Sequence, residues 1–266
     1  MRVKGIDISH HQLTADIDWL AMSRSVEFCW IRACYGVRTD RLVAEHVASC
    51  RTHGVRLGLY TFYRQTQGAE EQLDAFMAEL KRAEIRDGDL VPVVDLEWNE
   101  AYDGPVKPAK FNADARWMVE QLSSAFGQCV VYLAPGFFQT LGSPAWLHDH
   151  PWWVAHYTTK SDPWMPPGSP DWSVWQHAVK DHPAYSGGKL DQNVAKNLPI
   201  VSGPSVHQDD DVIPDLDCKH LPPVDNTIER LRFAQSELAE AIAELESRSL
   251  PRSIRVSDTQ PAPGGE

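Results

Sequence analysis

The sequence has no apolar run near the roughly 18 residues that a membrane helix needs. Its opening, Met1-Arg2-Val3-Lys4-Gly5-Ile6, has no apolar core of the kind that begins a secretory leader and reads directly as a strand. The expectation is a product made in the cytoplasm, with no membrane span, that reaches any outside substrate without a cleaved signal. Positive charge is scarce. Lys and Arg number 25 against 37 Asp and Glu, a net charge of -12, and this argues against a nucleic-acid partner because phosphate binding needs clustered cations. Cysteine is sparse and odd in number: Cys29, Cys34, Cys50, Cys129 and Cys218, with no C-x-x-C pair. Neither a disulfide framework nor a zinc knuckle is implied, and buried free thiols are expected. No glycine-rich loop follows the first strand, so a dinucleotide fold is not indicated, and no cofactor is implied.

What is present is a long α/β alternation. Apolar, β-branched stretches at residues 3–8, 26–33, 55–63, 90–97 and 128–133 read as strands. A short helix opened by Asp16 or Asp18, helices at 40–53 closed by Gly54, at 69–83, and at 113–126 stopped by Gly127, fall between them. Beyond residue 133 helices become meagre, and strands are expected at 152–156, 172–176 and 189–194. The alternation favours a parallel sheet with helices outside, closed as an irregular, flattened, TIM-like (β/α) barrel with some helices missing; an open doubly wound sheet is the competitor. The barrel is expected over residues 1–202. Residues 203–223, rich in Asp and Pro, read as a linker. In residues 224–249, Val224, Ile228, Leu231, Gln235, Leu238, Ile242 and Leu245 fall at steps of four and three, an amphipathic coiled-coil-like helix. Such a helix needs its stripe covered by a second copy, giving a homo-oligomer, by another protein, or by the barrel. Residues 250–266 read as a disordered tail.

The most informative stretch is Val91-Pro92-Val93-Val94-Asp95-Leu96-Glu97-Trp98. Alternation along a strand points Asp95 and Glu97 the same way, above Val91 and Val93. Two close carboxylates on an apolar floor cannot both ionise easily, so one should hold a proton near neutral pH. That suits general acid catalysis on a glycosidic bond; solvated strand-end acids or a metal site are the alternatives. The other strand ends add Asp7, Tyr60, Tyr132, Trp153, Tyr157, Trp175, Gln176 and Asp191 to one rim. Aromatic faces stack on the C–H faces of sugar rings, while carboxylates and amides take hydroxyls.

These residues resemble a known family. Gly5-Ile6-Asp7-Ile8-Ser9-His10-His11-Gln12 with Ile17-Asp18-Trp19, Ile31-Arg32-Ala33-Cys34-Tyr35-Gly36, Gly58-Leu59-Tyr60-Thr61-Phe62, Asp95-Leu96-Glu97, Trp153-Val154-Ala155-His156-Tyr157, Trp175-Gln176 and Asp191-Gln192-Asn193 are similar, in this order, to the family 25 glycoside hydrolases. These are N-acetylmuramidase lysozymes of phages and bacteria. The resemblance implies cleavage of the β-1,4 bond between N-acetylmuramic acid and N-acetylglucosamine in peptidoglycan glycan strands, with retention of configuration. It implies Glu97 as proton donor and Asp95 as nucleophile or acetamido-orienting carboxylate. Asp7 and Asp191 would hold substrate and tune Glu97, and Tyr60 would line the sugar site. Cys34 departs from the small or acidic residue usual there. With no leader, a phage lysin released through a membrane lesion or carried in the particle is the simplest biology, a bacterial origin the other. Two readings compete: a metal-dependent polysaccharide deacetylase using Asp7, His10 and His11, and a non-catalytic glycan-binding module.

Overall fold

In the computed structural model, which describes residues 2–98 and 100–202 and of residues 101 and 102 the backbone alone, eight strands close a ring. β1 (Val3–Ile8) pairs in parallel with β2 (Phe28–Tyr35), and β3 (Arg38–Thr39) folds back on the end of β2 outside the ring. The ring continues in parallel through β4 (Arg56–Phe62), β5 (Val93–Asp95), β6 (Val130–Leu133), β7 (Trp152–Ala155) and β8 (Trp172–His182). β9 (Tyr185–Ala195) then runs antiparallel to both β8 and β1 and closes the ring. The fold is thus a mixed α/β closed barrel with few helices. The expectation of an all-parallel sheet is corrected at this last strand. With no helix between β8 and β9, the chain can only return as a hairpin, and a hairpin is antiparallel.

Helices cover the first half. α1 (Trp19–Ser23) is capped by Asp18, whose carboxylate accepts the Ala21 N–H at 3.0 Å. α2 (Val43–His53) ends at Gly54, whose φ of 71° lies in the left-handed region that a side chain strains. α3 (Ala69–Arg82), the one-turn α4 (Glu100–Asp103) and α5 (Pro108–Phe126) follow. α5 buries Phe111, Ala115, Met118, Val119, Leu122 and Phe126, a stripe at helical spacing. α6 (Pro135–Thr140) is short and is the last α-helix among the described residues.

Coverage explains the strands' sequences. β2 is buried along nearly its whole length, with a helix outside and a packed barrel within, and reads as an apolar run broken only by Arg32. β8 and β9 extend as an exposed hairpin through Lys180, Asp181, Ser186 and Lys189. Their polar composition hides strands whose existence rests on backbone pairing, so both elements run longer than expected. Conversely, only Val93–Asp95 of the expected 90–97 strand enters the regular ladder. Pro92 has no N–H to give. The flanks are still fastened: Val91 N donates to Pro199 O at 3.2 Å and Leu96 N to Tyr132 O at 2.8 Å.

Inside the barrel Trp30 is fully buried and stacks on Trp153 with ring centres 4.8 Å apart. Gly58 makes room for it: a Cβ there would lie 2.7 Å from Trp30 Nε1 and 2.6 Å from Leu90 Cβ. Cys29, Cys34, Cys50 and Cys129 are buried free thiols, as expected. The linker, amphipathic helix and tail expected over residues 203–266 lie outside the described residues. Among the described residues no helix is long and apolar enough to cross a membrane.

Candidate active site

The inward residues near the C-terminal ends of the parallel strands form a cleft of about 280 Å³. Alternation selects them. Asp7 from β1, Arg32 from β2, Tyr60 from β4, Asp95 from β5, Tyr132 from β6, Trp153 from β7 and Gln176 from β8 each follow an inward neighbour two residues earlier or lie at the same level. Glu97 lies two residues beyond Asp95, and Asp191 lies on β9 directly opposite Asp7. Tyr157 stands at the mouth, 57% exposed.

Of the ten residues expected at the rim, the structure gathers Asp7, Tyr60, Asp95, Glu97, Tyr132, Trp153, Tyr157, Gln176 and Asp191 around this cleft. Trp175 is not among them. Adjacent residues of a strand face opposite ways, so Trp175 and Gln176 cannot both enter. Trp175 packs instead against Trp172 and His177 and donates from Nε1 to His156 O at 2.6 Å. The Asp7, His10, His11 trio weighed as metal ligands is not assembled. His10 is buried and turned onto Asp40 and Arg32, while His11 lines the cleft.

Two participants were given no role from sequence. Arg32 lines the cleft, with Nε on Asp40 Oδ2 at 3.1 Å. A charge within the otherwise apolar run Phe28-Cys29-Trp30-Ile31-Arg32-Ala33-Cys34 is its signal in the sequence. Asn193, inward because it is two residues from Asp191, donates from Nδ2 to Asp7 Oδ2 at 2.7 Å. Asp7 Oδ2 also accepts from Gln176 Nε2 at 3.0 Å. Gln176 Oε1 in turn accepts from Tyr132 Oη at 2.9 Å and Tyr157 Oη at 2.6 Å.

Four carboxyls in this space are all driven toward the protonated form. Burial pushes Asp7 up to about 6, against the pull of its two amide donors. Burial and then the charges of Asp7 and Glu97 push Asp191 up to about 8. Asp95 is raised well above the carboxylate range, by burial first and then by Glu97 and Asp7. Glu97 is raised by burial first and next by Asp7, opposed by Tyr132 and Arg32. Burial, rather than the ring of like charge alone, therefore leads. The cluster can hold a proton for delivery and an ionised partner beside it. Behind it Asp40 would also be raised by burial, but the His10 hydrogen bond and the Arg32 charge outweigh this and hold it well below the usual range.

A pH dependence of stability follows. A carboxyl whose pKa rises on folding binds its proton more tightly in the folded state, so its contribution to stability falls as pH rises from the unfolded value through the folded one. For Asp191 that window runs from 3.8 to about 8. The protein should melt higher at pH 5 than at pH 8, and Asp191→Asn should stabilise it at pH 8 by about 1 kcal/mol or more while doing less at pH 5. Thermal unfolding at both pH values checks this; a variant destabilised at pH 8 would contradict the electrostatic account.

Residues 6–184 match the model of glycosyl hydrolases family 25. The matched stretch includes Asp7, Asp95, Glu97 and Gln176 and stops before Asp191 and Asn193. Lysozyme M1 of Streptomyces globisporus is 26% identical over 203 residues, covering 72% of this chain and 67% of that protein. Among solved structures, a bacterial lysozyme from Streptomyces coelicolor superposes with a TM-score of 0.65 at 24% identity, covering 74% of this chain and 93% of that one. The catalytic domain of endolysin ply40 from bacteriophage P40 of Listeria monocytogenes does so with a TM-score of 0.58 at 21% identity, covering 73% and 93%. These two likenesses share the fold. With a family model matched across two thirds of its length and a cleft of acids at the barrel's rim, the chain belongs to family 25 of the glycosyl hydrolases.

Proposed function

We infer that this glycosyl hydrolase is a muramidase, hydrolysing the β-1,4 bond between N-acetylmuramic acid and N-acetylglucosamine in peptidoglycan. The observation that carries the reading is the convergence of Asp7, Asp95, Glu97 and Asp191 on one cleft in a chain of this family. Glu97, partly exposed and raised toward its protonated form, is the general acid; after the leaving group departs it takes a proton from the incoming water. Asp95 acts on the sugar in its ionised form, which burial and the charges of Glu97 and Asp7 disfavour, either attacking the anomeric carbon or orienting the substrate's own acetamido group. Its buried Oδ1 has no hydrogen-bond partner among the described residues, which suits an acceptor kept for a substrate N–H.

Tyr60, Tyr132 and Trp153 supply aromatic surface within the cleft, and Tyr157 and Asp191 contact the strand at its mouth. A cleft of about 280 Å³ is at the small end for ligand sites. A glycan strand lies across it and seats little more than the sugar being cleaved. Likeness to a phage endolysin's catalytic domain supports a role in phage-mediated lysis. The decisive experiment is mass spectrometry of fragments from purified peptidoglycan. New reducing ends should be N-acetylmuramic acid. New N-acetylglucosamine ends, acetate release without chain cleavage, or binding without cleavage would each overturn the reading.

A further inference from the structure

Asp7 is the one acid of the cluster that faces two amide donors, both on the same oxygen. Amide groups can turn end for end, so the donors' orientation must itself be fixed. For Asn193 it is fixed by Trp153, whose Nε1 donates to Asn193 Oδ1 at 2.8 Å and leaves only the NH₂ end for Asp7. For Gln176 it is fixed twice, because two tyrosine hydroxyls, from Tyr132 and Tyr157, donate to Oε1. Reversing either amide would set oxygen against the Asp7 carboxylate and face N–H donors toward N–H or O–H donors. Gln176 and Asn193 are both buried. The aromatic residues around the cleft thus lock two amides, and the amides grip one carboxylate.

We propose that Gln176 and Asn193 are positioning residues that keep Asp7 ionised, and that its charge is what holds the working proton on the neighbouring acids. This rests on the muramidase reading. Asp7 is faced by Asp191 from β9, Asp95 and Glu97 from β5 and the segment after it, Arg32 and Cys29 from β2, Tyr60 from β4, Tyr132 from β6 and Tyr157 at the mouth. Its negative charge opposes ionisation of Asp95, Glu97 and Asp191 alike. Removing a donor from the charged form raises Asp7 from about 6. Near neutral pH it then takes up a proton, its repulsion disappears, and the donor acid releases its own proton at lower pH.

The test compares kcat/KM for reducing-end release from purified peptidoglycan across pH in the wild type, Gln176→Met and Asn193→Leu, with a melting curve for each. The alkaline limb should move down by about one pH unit in either variant, while the rate near pH 5 stays within several-fold of wild type. A uniform loss of rate with both limbs unmoved would reduce the two amides to structural parts and overturn the proposal. Wild-type protein that releases no reducing ends would instead defeat the muramidase reading. A measurement needing no variant guards against misfolding: carbon-13 titration of the wild-type carboxyls should show Asp7 ionising first of the four cleft acids. Asp7 ionising after Asp191 would overturn the proposal whatever the variants do.

Discussion

Glu97→Gln is expected to leave the barrel folded and to lower reducing-end release from peptidoglycan about a thousandfold, within the range that a lost general acid costs. The substitution keeps the size of the side chain and its place beside Tyr132, so the packing around it has no reason to change. What it removes is the transferable proton. An amide cannot protonate the leaving oxygen, nor can it deprotonate the water that follows, so both halves of the reaction suffer. Stability should rise slightly at neutral pH, because one member of a repelling cluster is gone. Binding of uncleaved glycan should persist, which separates a lost proton from a lost fold. Activity within tenfold of wild type would remove Glu97 from the role of donor and return attention to Asp95 or Asp191, both of which are also held toward the protonated form.

Trp30→Ala should cost about 3–5 kcal/mol of stability, the range for deleting a large aromatic from a packed core. Trp30 is fully buried inside the ring, stacks on Trp153, meets Phe28 edge-on at 5.4 Å, and donates from Nε1 to Val91 O at 3.3 Å. Alanine would leave a void bounded by Gly58, which has no side chain to fill it, and would leave the Val91 carbonyl without its indole partner. Domains of this size hold only about 5–15 kcal/mol in total, so the variant would sit near the edge of folding. The effect should reach the chemistry, since Trp153 floors the cleft and orients Asn193. Urea denaturation gives the first number and the pH profile the second. A midpoint shift equivalent to less than about 1 kcal/mol would show that the interior repacks and that Trp30 is no keystone.

Much of the site follows from a period of two. Once a strand through Asp95 is recognised, Glu97 joins it on the same face, and the same arithmetic applied to Trp30 and Arg32, or to Asp191 and Asn193, finds the two participants that composition alone left without roles. The rule also exposes Trp175, because a residue next to the inward Gln176 has to point out. Helix ends were legible for local reasons: a carboxylate at Asp18 that can reach a free N–H, and Gly54 at a left-handed turn. The shortness of β5 and the length of the β8–β9 hairpin were not legible. Strand limits there depend on which backbone lies alongside, and a polar segment such as Lys180–Asp181 pairs as well as an apolar one.

The sequence by itself determined that strands alternate with helices, that acids stand at strand ends, and that their order is that of a glycosyl hydrolase family. The first two follow from local periodicity and residue chemistry, which a chain carries before it folds, and the third from the resemblance of its motifs to those of the family. The tertiary structure decided that β9 closes the ring backwards, that Asp191 comes to lie opposite Asp7, and that burial leads like charge in setting where the protons sit. Each of these depends on contacts between segments far apart in the chain, and on how much water such contacts exclude. No window of sequence contains either quantity.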